Sequence, residues 1–223
     1  MRSRSVMPAL AATVALTATA FTFTAPTATT GSAALHELTY GSNILLQNQY
    51  LGNGGYLDAN GLSHQPGAKY DVSTNQTPNS RGPRTSVWKV VSATGKANGS
   101  RVTSGDVIYL ANQYSTGSYL DANGRSTRSG AKYDVSTTAH RTRGRDTGTT
   151  KWHVFGKTSS PTDGRIRTDD VVNLLNDYGS ANGGFLDANG LSSQQGGAKY
   201  DVSTSYYSDR GPGTGSWKVL PAS

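Results

Sequence analysis

The chain has 223 residues, 27 of them glycine and none cysteine, and a formal charge of +7 from 21 basic and 14 acidic side chains. Disulfides and thiolate metal sites are excluded, so burial must stabilise the fold by itself. The basic excess crowds at Arg125, Arg128, Arg141, Arg143 and Arg145 without interleaved aromatics, which argues against a nucleic-acid groove and leaves a solvated loop surface or an acidic polymer or cell surface as its counterpart.

The first segment is set apart by composition. Arg2 and Arg4 precede an uncharged Ala/Val/Leu/Thr run from Met7 to Phe23, and Gly31-Ser32-Ala33-Ala34 follows. A short basic start, an apolar run and small residues are the pattern of a secretory signal peptide, expected over 1–34, which places the protein outside the cell. The run is short and Thr-rich for a membrane anchor, and no later segment is apolar enough to insert in a bilayer. Residues 35–223 then make one domain of ordinary size.

That domain consists of three near-copies, at about 41–93, 105–157 and 169–221, with a period of about 64 residues. Each contains four short runs rich in Val, Ile, Tyr, Thr and Trp. In the middle copy these are Val107 to Gln113, Ser118 to Ala122, Lys132 to Thr137 and Lys151 to Phe155. No window sustains a helical period, so all four are expected to be strands. Asn60-Gly61, Asn123-Gly124 and Asn189-Gly190 are expected to end the second strand in a tight hairpin turn. Alternation puts Leu57, Tyr70, Val72 and Trp88, with their equivalents, on the inward side. Three copies of four strands predict an all-β protein, a β-trefoil, with a β-prism or a three-bladed array as the alternatives.

The string G-x-[YF]-L-D, followed by a hairpin, an alternating strand and a W-x-[VIL] strand, resembles the ricin B-type lectin repeat in all three copies. It departs from that repeat in length and in having Ser86, Thr150 and Gly215 two residues before the tryptophan, where a glutamine is usual. The resemblance implies a β-trefoil and a non-catalytic, lectin-like activity with up to three equivalent sites. It implies that Asp58, Asp121 and Asp187 accept hydrogen bonds from sugar hydroxyls. Tyr56, Tyr119 and Phe185 lie two positions before these acids and Asn60, Asn123 and Asn189 two positions after. An aromatic, a carboxylate and an amide on one strand face suit a shallow sugar site. The same acids also suit a purely local role, bonding backbone N–H groups beside the Asn-Gly turn.

Other recurring residues have structural readings. The Lys and Asp of Lys69-Tyr70-Asp71, Lys132-Tyr133-Asp134 and Lys199-Tyr200-Asp201 are expected to pair with each other or with the neighbouring hairpin across the sheet. Arg81, Arg143 and Arg210, on glycine-bearing loops, are expected to cap carbonyls, and Asn48, Asn112 and Asn176 to satisfy backbone groups inside the barrel. The four histidines fall at unmatched positions with no metal-ligand spacing, G-x-S-x-G is absent and Glu37 is the one glutamate. No catalytic residue, metal or cofactor is therefore expected. The expected partner is a carbohydrate, a polysaccharide or cell-surface glycan bound by a monomer. The alternative is a protein partner, with the chain acting as a hydrolase inhibitor or an adaptor of a toxin or surface assembly. The divergent loops Asn75 to Arg81, Thr138 to Arg145 and Ser205 to Arg210 would serve that role.

Overall fold

The computed structural model describes residues 36–143, 147–194 and 196–222. The expected signal peptide lies outside the described residues. Among those residues no helix is long and apolar enough to cross a membrane.

Among the described residues twelve strands follow one another: β1 (Asn43–Asn48), β2 (Gly55–Leu62), β3 (Tyr70–Asn75), β4 (Trp88–Ser92), β5 (Val107–Asn112), β6 (Ser118–Arg125), β7 (Ala131–Thr138), β8 (Trp152–Thr158), β9 (Val171–Asn176), β10 (Gly184–Leu191), β11 (Ala198–Ser205) and β12 (Trp217–Pro221). All belong to one antiparallel sheet. β1 pairs with β12, β12 with β9, β9 with β8, β8 with β5, β5 with β4 and β4 with β1, which closes the sheet on itself. The hairpins β2–β3, β6–β7 and β10–β11 attach to this wall. They meet where β3, β7 and β11 pair with one another.

The expected β-trefoil of three four-strand units is corrected on this point, and the all-β class stands. Within the first copy β1 and β4 share only the pairs Asn43–Lys89 and Ile44–Trp88. The long registers run between copies: Trp88 to Ser92 against Ile108 to Asn112, and Ile44 to Asn48 against Trp217 to Pro221. The strands therefore form a closed antiparallel barrel in which no copy is complete alone. The physical reason is the edge: a lone copy would leave unpaired N–H and C=O groups on its first and fourth strands, and closure removes them.

The core is built in equivalent sets of three. Trp88, Trp152 and Trp217 are wholly buried, as are Leu57, Leu120 and Leu186. Each indole donates to the carbonyl of its own copy's leucine, Trp88 Nε1 to Leu57 O at 2.9 Å, Trp152 Nε1 to Leu120 O at 3.1 Å and Trp217 Nε1 to Leu186 O at 2.9 Å. A buried indole N–H needs such a partner, and its ring supplies the bulk that the barrel interior requires. Leu38, Val102 and Ile166 close one end of this core.

The Asn-Gly pairs act differently from expectation. Gly61, Gly124 and Gly190 adopt positive φ of 58°, 70° and 73°. The second strand nevertheless continues past them, and the register shifts between Asn60 and Leu62 and at the equivalent places. They make a β-bulge, not the hairpin turn, because a glycine in the left-handed region inserts one unpaired residue and bends the strand. The bend carries Leu62, Arg125 and Leu191 out to the surface.

Candidate functional site

The three acids of L-D-A-N-G are fully buried: Asp58, Asp121 and Asp187 are each 0% exposed. The loop leading to the fourth strand of each copy covers them. Asp58 accepts from Arg81 Nη1 at 3.0 Å, from Thr85 Oγ1 at 3.0 Å and from Ser86 Oγ. Asp187 takes Arg210 Nε at 3.0 Å. Asp121 faces Arg143 Nε at 3.4 Å. Burial pushes the Asp58 carboxyl above its ordinary value against the pull of Ser86, Arg81 and Thr85, and lowers Arg81 in turn. Burial raises Asp187 likewise, against Thr214 and Arg210. Desolvation thus outweighs attraction in these pairs, as it commonly does for buried ions. The acids expected to accept from sugar hydroxyls are thus withdrawn from the surface, each facing an arginine of the covering loop.

The aromatic residues expected beside them stand apart from the three clefts described below. Tyr56, Tyr119 and Phe185 are half-buried on the flank of the second strand. Tyr119 packs edge-on against Tyr109 at 5.9 Å, with Arg141 lying over both rings and donating to the Tyr119 hydroxyl at 3.2 Å. Asn60, Asn123 and Asn189 are placed at clefts, each of which is lined by residues of all three copies.

The first cleft, of about 840 Å³, holds Asn60, Leu62, Tyr70 and Arg81 of the first copy, Tyr114 of the second and Gly196 of the third. The second, of about 470 Å³, holds Asn123, Arg125, Tyr133 and Arg143, with Tyr178 and Pro66. The third, of about 480 Å³, holds Asn189, Leu191, Tyr200 and Arg210, with Tyr50 and Ser129. The two tyrosines of each cleft meet edge to face: Tyr70 with Tyr114 at 5.5 Å, Tyr133 with Tyr178 at 5.6 Å and Tyr50 with Tyr200 at 5.4 Å. These separations suit the quadrupole attraction of aromatic edges for faces.

Each tyrosine is positioned by a buried device. Asn48, Asn112 and Asn176 donate to Thr214 O, Thr85 O and Thr149 O, all at 2.7 Å. Their carbonyls accept from Tyr50 N at 3.1 Å, Tyr114 N at 3.0 Å and Tyr178 N at 3.2 Å. One amide thereby ties a cleft tyrosine to the arginine-bearing loop opposite. The other tyrosine is held in a ring about the barrel axis: Tyr70 N donates to Thr137 Oγ1 and Tyr133 N to Thr204 Oγ1, both at 3.1 Å, and Tyr200 N to Thr74 Oγ1 at 3.0 Å.

The lysines and aspartates of K-Y-D part company. Lys69 reaches Thr116 Oγ1 at 2.7 Å and Gly117 O at 3.0 Å, and Lys132 reaches Asn182 Oδ1 at 2.8 Å, so each grips the next copy's loop. Asp71, Asp134 and Asp201 line a small hollow on the axis, where Arg128 pairs with Asp201 at 2.5 Å. Of the two expected partners, the lysines take the neighbouring hairpin and not the aspartate of their own strand, because the two side chains point to different neighbours. Among the described residues no group of three His, Cys, Asp or Glu side chains is arranged to hold a metal ion.

No family model matches this sequence, and no curated protein matches it. Solved structures do. The SDF2-like protein from Arabidopsis thaliana superimposes with a TM-score of 0.60 at 17% identity, over 82% of this chain and 94% of that one. A Caenorhabditis elegans protein of unknown function gives 0.59 at 18%, over 86% and 99%. The S. cerevisiae protein O-mannosyltransferase Pmt1–Pmt2 complex bound to the sugar donor gives 0.59 at 16%, over 86% of this chain but 26% of that one. At such identities the likeness is one of fold. The resemblance to ricin B-type lectins is corrected by these neighbours and by the buried acids.

Proposed function

We propose that the chain is a non-catalytic carbohydrate-binding protein, exported from the cell, that holds sugars in the three clefts between its copies. The observation that carries this reading is the threefold recurrence of one constellation: an edge-to-face tyrosine pair, an amide and an arginine whose charge a buried aspartate offsets. A half-buried tyrosine face takes the C–H side of a pyranose, while the guanidinium and the Asn amide bond its hydroxyls. One neighbouring structure is of a mannosyltransferase complex bound to its sugar donor, which supports trying sugars first. Individually weak sites act together on a polymer. A glycan array probed with the protein is expected to give hits that Tyr50→Ala, Tyr114→Ala and Tyr178→Ala together abolish. Undiminished binding by that triple variant would refute the clefts.

A protein partner is the second reading, favoured by Tyr206 and Tyr207, which are 63% and 69% exposed on a loop whose counterparts in the other copies carry no tyrosine. Adjacent exposed tyrosines are frequent binding anchors. If they act so, a protein captured from the natural surroundings is lost on Tyr206→Ser/Tyr207→Ser while glycan binding stays.

A further inference from the structure

At one rim position the three clefts differ in charge. The residue thrown outward by the β-bulge is Leu62 in the first and Leu191 in the third, 74% and 80% exposed, but Arg125 in the second. We infer that the middle cleft takes an anionic saccharide, one bearing a uronate or a sulfate ester, whereas the flanking clefts take neutral sugars. This rests on the carbohydrate reading of the clefts.

Arg125 is exposed and makes no ion pair among the described residues. Arg143 lines the same cleft with its side chain 23% exposed, turned toward the wholly buried Asp121. Lys132 lies close by: its ammonium sits over the ring of Tyr133 at 5.7 Å, and Tyr133 is the residue opposite Arg125 across the hairpin; burial first and then the charge of Arg125 lower it. Among the described residues that line this cleft none is acidic, and Asp121, which faces Arg143, is wholly buried behind it. An incoming anion therefore meets the field of Arg125 and Lys132 uncompensated. A planar guanidinium presents paired donors that fit the oxygens of a carboxylate or sulfate. The leucines of the other clefts present only a methyl-bearing rim, which favours the apolar face of a neutral sugar.

The test compares probes that differ only in charge: trigalacturonate against its methyl ester, and a sulfated carrageenan oligosaccharide against its desulfated form, each titrated calorimetrically into the full chain. The anionic member of at least one pair is expected to bind about three- to fivefold more tightly, in keeping with a partly exposed ion pair. The pair that shows the preference names the anion. Added salt should shrink it. Arg125→Leu, which restores the residue of the sister clefts and should fold normally, is expected to bring the ratio to about one, and Leu62→Arg to raise it. Equal binding of both members, or a preference that survives Arg125→Leu, overturns the inference and leaves the clefts as neutral sugar sites. No binding of any probe together with a blank glycan array overturns it along with the carbohydrate reading.

Discussion

Asp58→Ala separates a buried structural acid from a surface ligand contact. The Asp58 carboxylate is wholly buried and accepts from Arg81, Thr85 and Ser86. Its loss leaves the Arg81 guanidinium, with its side chain 8% exposed, holding only Ser73 Oγ at 3.0 Å and Gly196 O at 2.7 Å. Removing one partner of a buried ion pair costs about 3–5 kcal/mol. For a domain of this size that lowers Tm by roughly 10 °C. The partners of Asp121 and Asp187 are 23% and 30% exposed, so water screens what is left behind. Asp121→Ala and Asp187→Ala should cost less, about 2 kcal/mol each. Urea unfolding followed by the fluorescence of the three buried tryptophans measures all of these, with an unchanged m-value confirming that stability alone has moved. Asp58→Ala/Arg81→Leu should recover most of the loss, since no unpaired charge remains buried. A cost below about 1 kcal/mol for Asp58→Ala, or no recovery in the double variant, would refute the reasoning.

Three further outcomes are expected. Asn112→Ala removes the bonds to Thr85 O and from Tyr114 N, and should cost about 2–3 kcal/mol in urea while weakening sugar binding at the first cleft. In Gly183→Ala the new methyl would sit 2.2 Å from Asn176 Oδ1, displacing the amide that holds Tyr178, so a loss of about 1–3 kcal/mol and a weaker second cleft should appear in the same assays. Arg167, bonding both oxygens of Asp163 at 3.0 and 2.6 Å, holds that carboxyl down at about 2. A depressed folded value means the stabilisation is full above the unfolded value near ~4 and fades as pH falls through about 2. NMR titration of the Asp163 carboxyl should show this, with Arg167→Ala returning it toward ~3.9.

Much of the secondary structure was legible because strands are written in local alternation. In the middle copy the four expected runs lie on β5, β6, β7 and β8. The tryptophans and the leucine of L-D-A-N-G could be assigned inward because an apolar residue opposite a polar one has a single sensible side. The Asp residues misled for the same reason. Lying opposite Leu57, Asp58 reads as outward, and it is outward from the barrel core. A second layer, the loop bearing Arg81, Thr85 and Ser86, then covers it. Tyr70 misled in reverse: it shares its face with Val72, but at the start of β3 that face has left the core and looks into a cleft. Tyr50, Tyr114 and Tyr178 went unnoticed although the signal existed, since each stands two residues after the asparagine that closes the first strand of its copy.

Composition, period and alternation by themselves determined that this chain is all-β, tripled and built around recurring tryptophans and leucines, because those properties reside in neighbours along the chain. The tertiary structure alone decided that the copies close into one barrel, that the recurring acids are sealed under arginines and that the clefts draw residues from all three copies. A strand's sequence specifies two faces but not which of them another segment will cover. That is settled only when residues more than a hundred positions apart, such as Arg81 and Gly196 at 2.7 Å, come to lie side by side.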